Sequence, residues 1–273
     1  MTKSSNEEYH HLLEKEYDWY ESYNILAKNT DNIPQNVSYK NGSMSMEYLK
    51  DYITFNDILR KSDKETQAKI FDNYRIALNN MHGAKMKVDS FEKDLTKEVI
   101  TKTLDRCDKI KDILIKYDRD ELSELLNKVY NILLEKSGDE VYYIFGHGDL
   151  NGSNVMVSEQ DYNIKFIDPR GYFGDTVKFI YEPYEYAKIR YCISGYDVFN
   201  RCPQFYGEDS NIEMNNYLID MFYDRIPEAS IYKYEIELLL GVIWVSLAGY
   251  ISNDIIKANI AYEKGIKILK DLL

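Results

Sequence analysis

From Asn6 to Ala27, Tyr9, Leu12, Leu13, Tyr20 and Tyr23 recur at the spacing of one helical face, which predicts an amphipathic helix. Glu16 interrupts that face, and a carboxylate there is costly unless paired, or else lies at the solvated edge of the stripe. Ile33-Pro34 closes the unit. Val37-Ser38-Tyr39 and Ser43–Leu49 then predict two strands joined by Lys40-Asn41-Gly42, a hairpin turn. Thr54, with Asp57 three residues on, marks a helix N-cap. Lys64–Met81 predicts a second amphipathic helix, stopped at His82-Gly83 by a left-handed glycine. Helices near Phe91–Lys116 and Arg119–Lys136 follow from Ile110, Ile113 and Leu114 and from Leu122, Leu125, Leu126, Val129 and Leu133. Short apolar runs predict strands at Val141–Phe145, Asn154–Val157 and Ile164–Ile167. Beyond Pro183 the chain reads as helical, closing with Lys233–Ile251 and Asn253–Leu273.

With 273 residues, 44% hydrophobic, the chain can bury the core of one large domain or of two unequal lobes sharing a cleft. Its net charge of −12 and scattered lysines argue against a nucleic-acid partner. The longest apolar run, Leu238–Ile251, is about fourteen residues, short of the ~20 that span a bilayer. Gly241, Ser246 and Gly249 interrupt it, so a buried helix is expected and no membrane partner. The N-terminal Met1–Glu8 has no apolar signal region, and Cys107, Cys192 and Cys202 are odd in number without metal-ligand spacing. A soluble cytoplasmic protein with reduced thiols is the expectation.

The unusual residues concentrate between two predicted strands, in Phe145-Gly146-His147-Gly148-Asp149-Leu150-Asn151-Gly152-Ser153-Asn154. Fourteen positions after Asn154, Asp168 ends the strand Ile164–Ile167. Phosphoryl transfer asks a protein to align an acceptor with a phosphate and to hold cations that absorb charge. Magnesium takes hard oxygen ligands, commonly one or two from protein. Asn154 and Asp168 suit that task, and Asp149 suits taking the proton of an acceptor hydroxyl. The same residues also suit turn capping and strand ending.

His147-x-Asp149-x4-Asn154, a strand and then Asp168 resemble the catalytic loop and metal aspartate of the kinase superfamily. The form His-Gly-Asp-Leu-x-x-x-Asn is more similar to the aminoglycoside phosphotransferase and choline kinase branch than to protein kinases. Ile167-Asp168-Pro169-Arg170-Gly171, Gly174-Asp175 and Tyr184-Glu185-Tyr186-Ala187-Lys188 also resemble that branch, particularly kinase-like proteins of bacterial surface-polysaccharide biosynthesis. Glu185 stands where the branch usually has aspartate, and remains able to accept bonds from the catalytic loop.

The resemblance implies an α+β, protein-kinase-like two-lobed fold, with a reduced N-terminal lobe over residues 1–50 and a large helical C-terminal lobe over 51–273. It implies a small-molecule kinase that uses ATP or GTP and magnesium, phosphorylating a hydroxyl of a sugar or amino alcohol. By position Asp149 is the catalytic base, His147 braces the loop, and Asn154 and Asp168 are metal ligands. Lys3 and Glu16 match the lysine and glutamate that hold nucleotide phosphates, unless Lys3 is a loose terminal residue. Met46, Glu47, Tyr48 and Leu49 match the hinge whose backbone reads the purine. No glycine-rich hairpin precedes Lys3. Either the chain is part of a longer polypeptide, or the missing strands are supplied otherwise, or nucleotide binds under a thinner roof. A catalytically impaired nucleotide-binding or scaffold domain is the alternative reading.

Arg170 either clamps a phosphate or acidic acceptor, or pairs with Asp175 or Glu182. The tyrosines, 26 in all and many within Tyr172–Tyr206, suit sugar stacking or half-buried helix faces. The stretch from Asp168 to Glu182 is too short for a long phosphorylatable activation loop, which argues against a protein kinase.

Overall fold

The first stripe folds as a 3-10 turn, Glu7–Tyr9, running into α1 (His10–Leu26), whose buried face is Leu13, Glu16, Trp19, Tyr20 and Tyr23. The computed structural model describes residues 1–202 and 206–273. Ahead of α1 lies β1 (Thr2–Ser4), three residues and so too short to show a period. It joins the predicted hairpin, β2 (Ser38–Lys40) and β3 (Ser43–Ser45), in an antiparallel sheet ordered β1-β3-β2. Asn41 and Gly42 both take positive φ (48° and 74°), as a two-residue type I′ turn requires. Strand β3 stops at Ser45, so Met46–Leu49 lies outside the sheet.

Strand β4 (Tyr52–Thr54) leads into α2 (Phe55–Lys61), where the Thr54 hydroxyl accepts from the Asp57 amide at 3.3 Å. Helix α3 (Lys64–Met81) ends as expected, but Gly83 does not take the left-handed conformation. A Cβ there would lie 3.0 Å from Lys28 Cγ and 3.3 Å from the Leu26 carbonyl, so this glycine serves close approach to the end of α1. Strand β5 (Lys85–Val88) follows at once. The helix expected over Phe91–Lys116 stops at Asp108 and is divided into α4 (Phe91–Leu95), a π-helical stretch Thr96–Thr101 and α5 (Lys102–Asp108), with turns over 109–116. Glu98, buried in the π stretch, bonds Arg170 and Lys102, a demand invisible to apolar spacing. Helix α6 (Arg119–Ser137) is N-capped by Asp118.

Strands β6 (Val141–Phe145), β7 (Val155–Ser158) and β8 (Ile164–Phe166) occupy the predicted runs. A small hairpin, β9 (Tyr172–Phe173) and β10 (Thr176–Val177), precedes β11 (Phe179–Ile180). Two three-stranded sheets result, β11-β6-β5 and β4-β7-β8, with β6 and β7 central. The segment that carries the unusual residues therefore connects two sheet centres.

The rest is helical: α7 (Glu182–Tyr191), a π-helical stretch Cys192–Tyr196, α8 (Asp197–Arg201), α9 (Asp209–Arg225), α10 (Pro227–Ile231), α11 (Lys233–Tyr250) and α12 (Ile255–Leu272). Part of the stretch predicted helical beyond Pro183 lies outside the described residues. Helix α11 is buried from Leu238 to Ala248 and packs against α12, α7 and α5, which explains its apolar run. Among the described residues no helix is long and apolar enough to cross a membrane.

Candidate active site

Between β6 and β7 the chain is held by its own amides. The amide of His147 donates to Glu185 Oε1, and that of Gly148 to Glu185 Oε2 at 2.8 Å. Gly148 needs its positive φ (76°), and a Cβ there would sit 3.2 Å from the Tyr172 carbonyl. Glu185 is buried; burial pushes its carboxyl up to about 7 against the pull of the two amides. His147 is buried too, with Nε2 2.8 Å from the Ile167 carbonyl and Nδ1 accepting from the Asp149 amide at 3.2 Å. This network puts the proton on Nε2 of a neutral ring, and burial holds the imidazole below its ordinary pKa. Trp19 of α1 closes the loop from the other side. Its Nε1 donates to the Gly146 carbonyl at 2.8 Å, and its ring stacks on Phe145 and meets His147 edge-on.

Asp149 is partly buried beside Lys188, with Oδ1 and Nζ 3.0 Å apart. Burial raises this carboxyl, but Lys188 outweighs it and leaves the pKa below the usual carboxylate value. Asn154 Nδ2 donates to the Asp149 carbonyl at 3.0 Å and to Oδ2 at 3.3 Å. The Ile167 amide donates to the Asn154 carbonyl at 2.9 Å, so Asn154 and Asp168 stand at adjacent ends of β7 and β8. Asp168 takes positive φ (54°), a strained backbone for a residue with a Cβ. Lys3 Nζ bonds Asp168 Oδ1 and lies 2.7 Å from Glu16 Oε2. Burial lowers the Lys3 pKa, but its two carboxylate partners prevail and raise it. Glu16 is 8% exposed, and burial holds its pKa up although Lys3 pulls it down. Residues 165 positions apart thus meet, and the odd carboxylate of α1 has its partner.

No family model matches the chain, and no curated protein sequence does. Solved structures do. An ethanolamine kinase of Plasmodium vivax superposes with a TM-score of 0.52 at 14% identity, over 95% of this chain and 73% of that one. A choline kinase from Streptococcus pneumoniae gives 0.53 at 16%, over 99% and 85%. An ADP-bound aminoglycoside phosphotransferase gives 0.58 at 14%, over 98% and 87%. The fold is protein-kinase-like. These neighbours are phosphotransferases that act on small molecules.

Other expected residues fall differently. The amides of Met46 and Glu47 are used by the carbonyls of Met1 and Gln35, both at 2.9 Å. Among the described residues the amides of Tyr48 and Leu49 have no partner. The Glu47 carboxylate braces Lys165 at 3.1 Å and the Gln35 amide at 2.9 Å. Arg170 pairs with neither Asp175 nor Glu182. It bonds Glu98 and the Tyr184 hydroxyl, and its guanidinium lies 3.9 Å from the Tyr172 ring centroid. Asp175 is taken by Lys93 and Lys97. Tyr181, Tyr184, Tyr186 and Tyr191 are buried, so packing accounts for much of the tyrosine-rich stretch. Sequence reading missed Trp19 and the partnership of Lys188 with Asp149. A tryptophan three residues after Glu16 on one helix was the available signal for the first.

Proposed function

We propose that this chain is a phosphotransferase that moves the γ-phosphoryl group of ATP or GTP to a hydroxyl of a small molecule, a sugar or amino alcohol. The observation that carries this reading is the convergence of Lys3, Glu16 and Asp168 beside Asp149 and Asn154. Residues 1–50 act as a reduced N-terminal lobe and 51–273 as the C-terminal lobe. Asp149, kept anionic by Lys188, faces the acceptor and takes its proton. As the acceptor oxygen bonds to phosphorus, the bond from phosphorus to the bridging oxygen breaks, and the nucleoside diphosphate leaves with that electron pair. His147 and Glu185 hold the loop that aims Asp149. Lys3, positioned by Glu16, binds phosphate oxygens, and Tyr48 and Leu49 meet the base.

Among the described residues no cluster of three or more His, Cys, Asp or Glu could form an all-protein metal cage. Asn154 and Asp168 offer two hard oxygen donors at adjacent strand ends, the carboxylate half exposed at 52%. That set fits magnesium, which takes its remaining ligands from water and phosphate. Bound there, the ion would draw charge from the phosphates. The Ile167–Gly171 and Tyr184–Lys188 motifs support a role in surface-polysaccharide synthesis.

Titration calorimetry with ATP and with GTP, each with and without magnesium, tests the site. Binding is expected only with the metal. Tight binding that needs no magnesium and survives Asp168→Asn would overturn the assignment.

A further inference from the structure

A cavity of about 910 Å³ lies among α7, α9, α11 and α12, and none of His147, Asp149, Asn154 or Asp168 lines it. The volume is of the size that holds small metabolites, about 300–1,000 Å³. Its inner wall carries Lys264, whose Nζ lies 4.0 Å from the centroid of Trp244 and 4.4 Å from that of Tyr206. That ammonium donates to the Ser194 carbonyl at 3.2 Å, and among the described residues it has no carboxylate partner. Arg190 lines the same cavity. Its Nε and Nη2 bind Glu237 at 2.6 and 3.1 Å, while Nη1 is buried with no acceptor. The indole Nε1 of Trp244, the ring beneath Lys264, is also buried without an acceptor.

The acids around the cavity do not answer this excess of donors. Glu237 is taken by Arg190 and by the Tyr223 hydroxyl at 2.9 Å, Glu263 by Lys116 at 3.2 Å, and Glu121 by Lys270 at 2.5 Å, while Asp271 lies at the exposed rim. Buried donors without acceptors, and a half-buried ammonium without a counter-charge, are each costly, so the arrangement asks for an acceptor-rich, negatively charged group. Burial and the charge of Arg190 push Lys264 down to about 7, as expected of a cation lacking its anion. Ile219, Leu240 and Ile266 add an apolar wall.

We infer that this cavity binds a small organic anion, its acidic group held between Lys264 and Arg190 and its apolar part against α9, α11 and α12. The site is separate from the phosphoryl-transfer strip but shares α7 with it. Lys188 meets Asp149, and Arg190, two residues on, meets the cavity from another face of the helix. Tyr191 and Tyr196 both pack on Trp244, so one aromatic layer lies between the two regions.

Calorimetry with inorganic phosphate and with phenyl phosphate, on the full chain at low salt, tests this. Saturable binding is expected, tighter for phenyl phosphate because of the apolar wall. Lys264→Met should weaken it at least about tenfold, while Asp168→Asn, in the other site, leaves it within about twofold. Loss of binding in Asp168→Asn but not in Lys264→Met would place the anion in the phosphoryl-transfer strip and overturn the inference. So would the absence of saturable binding to wild type. If Lys264→Met folds poorly, acetylation of wild type mapped by mass spectrometry gives the answer. Phenyl phosphate should protect Lys264 severalfold, and equal labelling with and without it would refute the site. The magnesium-nucleotide titration reads the other site alone, so either reading can fail without the other.

Discussion

Two carboxyls a few residues from each other in space are driven in opposite directions by their neighbours. Asp149 has an ammonium at 3.0 Å and keeps its charge; Glu185 has only two amides and is pushed up to about 7. Asp149→Asn should lower turnover by a factor on the order of 10² to 10⁴, as for loss of a general base, while nucleotide affinity stays near wild type. Steady-state kinetics with calorimetry reads both quantities, and an undiminished turnover would remove Asp149 from the proposed mechanism. Glu185 should set the acid limb of the pH profile. Below about pH 7 it protonates and one loop amide loses its acceptor, so turnover should fall. In Glu185→Gln that limb should flatten. Stability runs the other way: because the folded value lies above the ordinary 4.5, this contribution is full below that pH and lost as pH rises through about 7. Unfolding free energies of the two proteins, from urea titrations at about pH 5 to 8, should diverge by about a few kcal/mol at most, with wild type falling.

Elements here are placed by single polar demands as much as by apolar stripes. The π stretch Thr96–Thr101 delivers Glu98 to Arg170 and Lys102; the glutamate is buried and the arginine mostly so. Burial alone would raise the Glu98 carboxyl, but the two cations outweigh it and hold it at about 2. Removing one partner leaves a buried charge, so Glu98→Ala should cost about 3–5 kcal/mol in urea unfolding. Since the folded value lies below the ordinary 4.5, wild type keeps this contribution above that pH and loses it as pH falls toward about 2. The stability gap to Glu98→Ala should therefore close in acid. Helix α1 is tied in similarly, through Trp19. Trp19→Phe keeps a ring against Phe145 but leaves the Gly146 carbonyl without its donor, an expected loss of about 1–3 kcal/mol by chemical denaturation.

For the molecule as a whole, the test is whether Asp168 serves the fold or a ligand. In the structure its carboxylate is half exposed and paired with Lys3, a contact worth about 0–1 kcal/mol. Asp168→Asn should therefore melt close to wild type when no ligand is present. It should also lose the stabilisation that magnesium and nucleotide give by binding the folded state alone. Paired melting curves, with and without magnesium nucleotide, separate the cases. A mutant that melts several degrees lower yet keeps the ligand shift would leave the kinase-like fold standing and discard the proposed chemistry.

Apolar period and turn residues by themselves determined α1, the β2–β3 hairpin, α3, α6 and strands β6 to β8, because each rests on local spacing and on residues that tolerate one backbone conformation. The motif His147-x-Asp149-x4-Asn154 with Asp168 stood in the sequence as well, since both parts flank short strands. Strands β1 and β4, three residues each, had no such signature; pairing with β3 and β7 creates them. Tertiary structure alone decided that Lys3 reaches Glu16 and Asp168, that Lys188 pairs with Asp149, and that Arg170 is committed to Glu98. A charged side chain carries no period, and the partner that makes its burial tolerable is chosen by the packing of distant segments rather than by its neighbours in the chain.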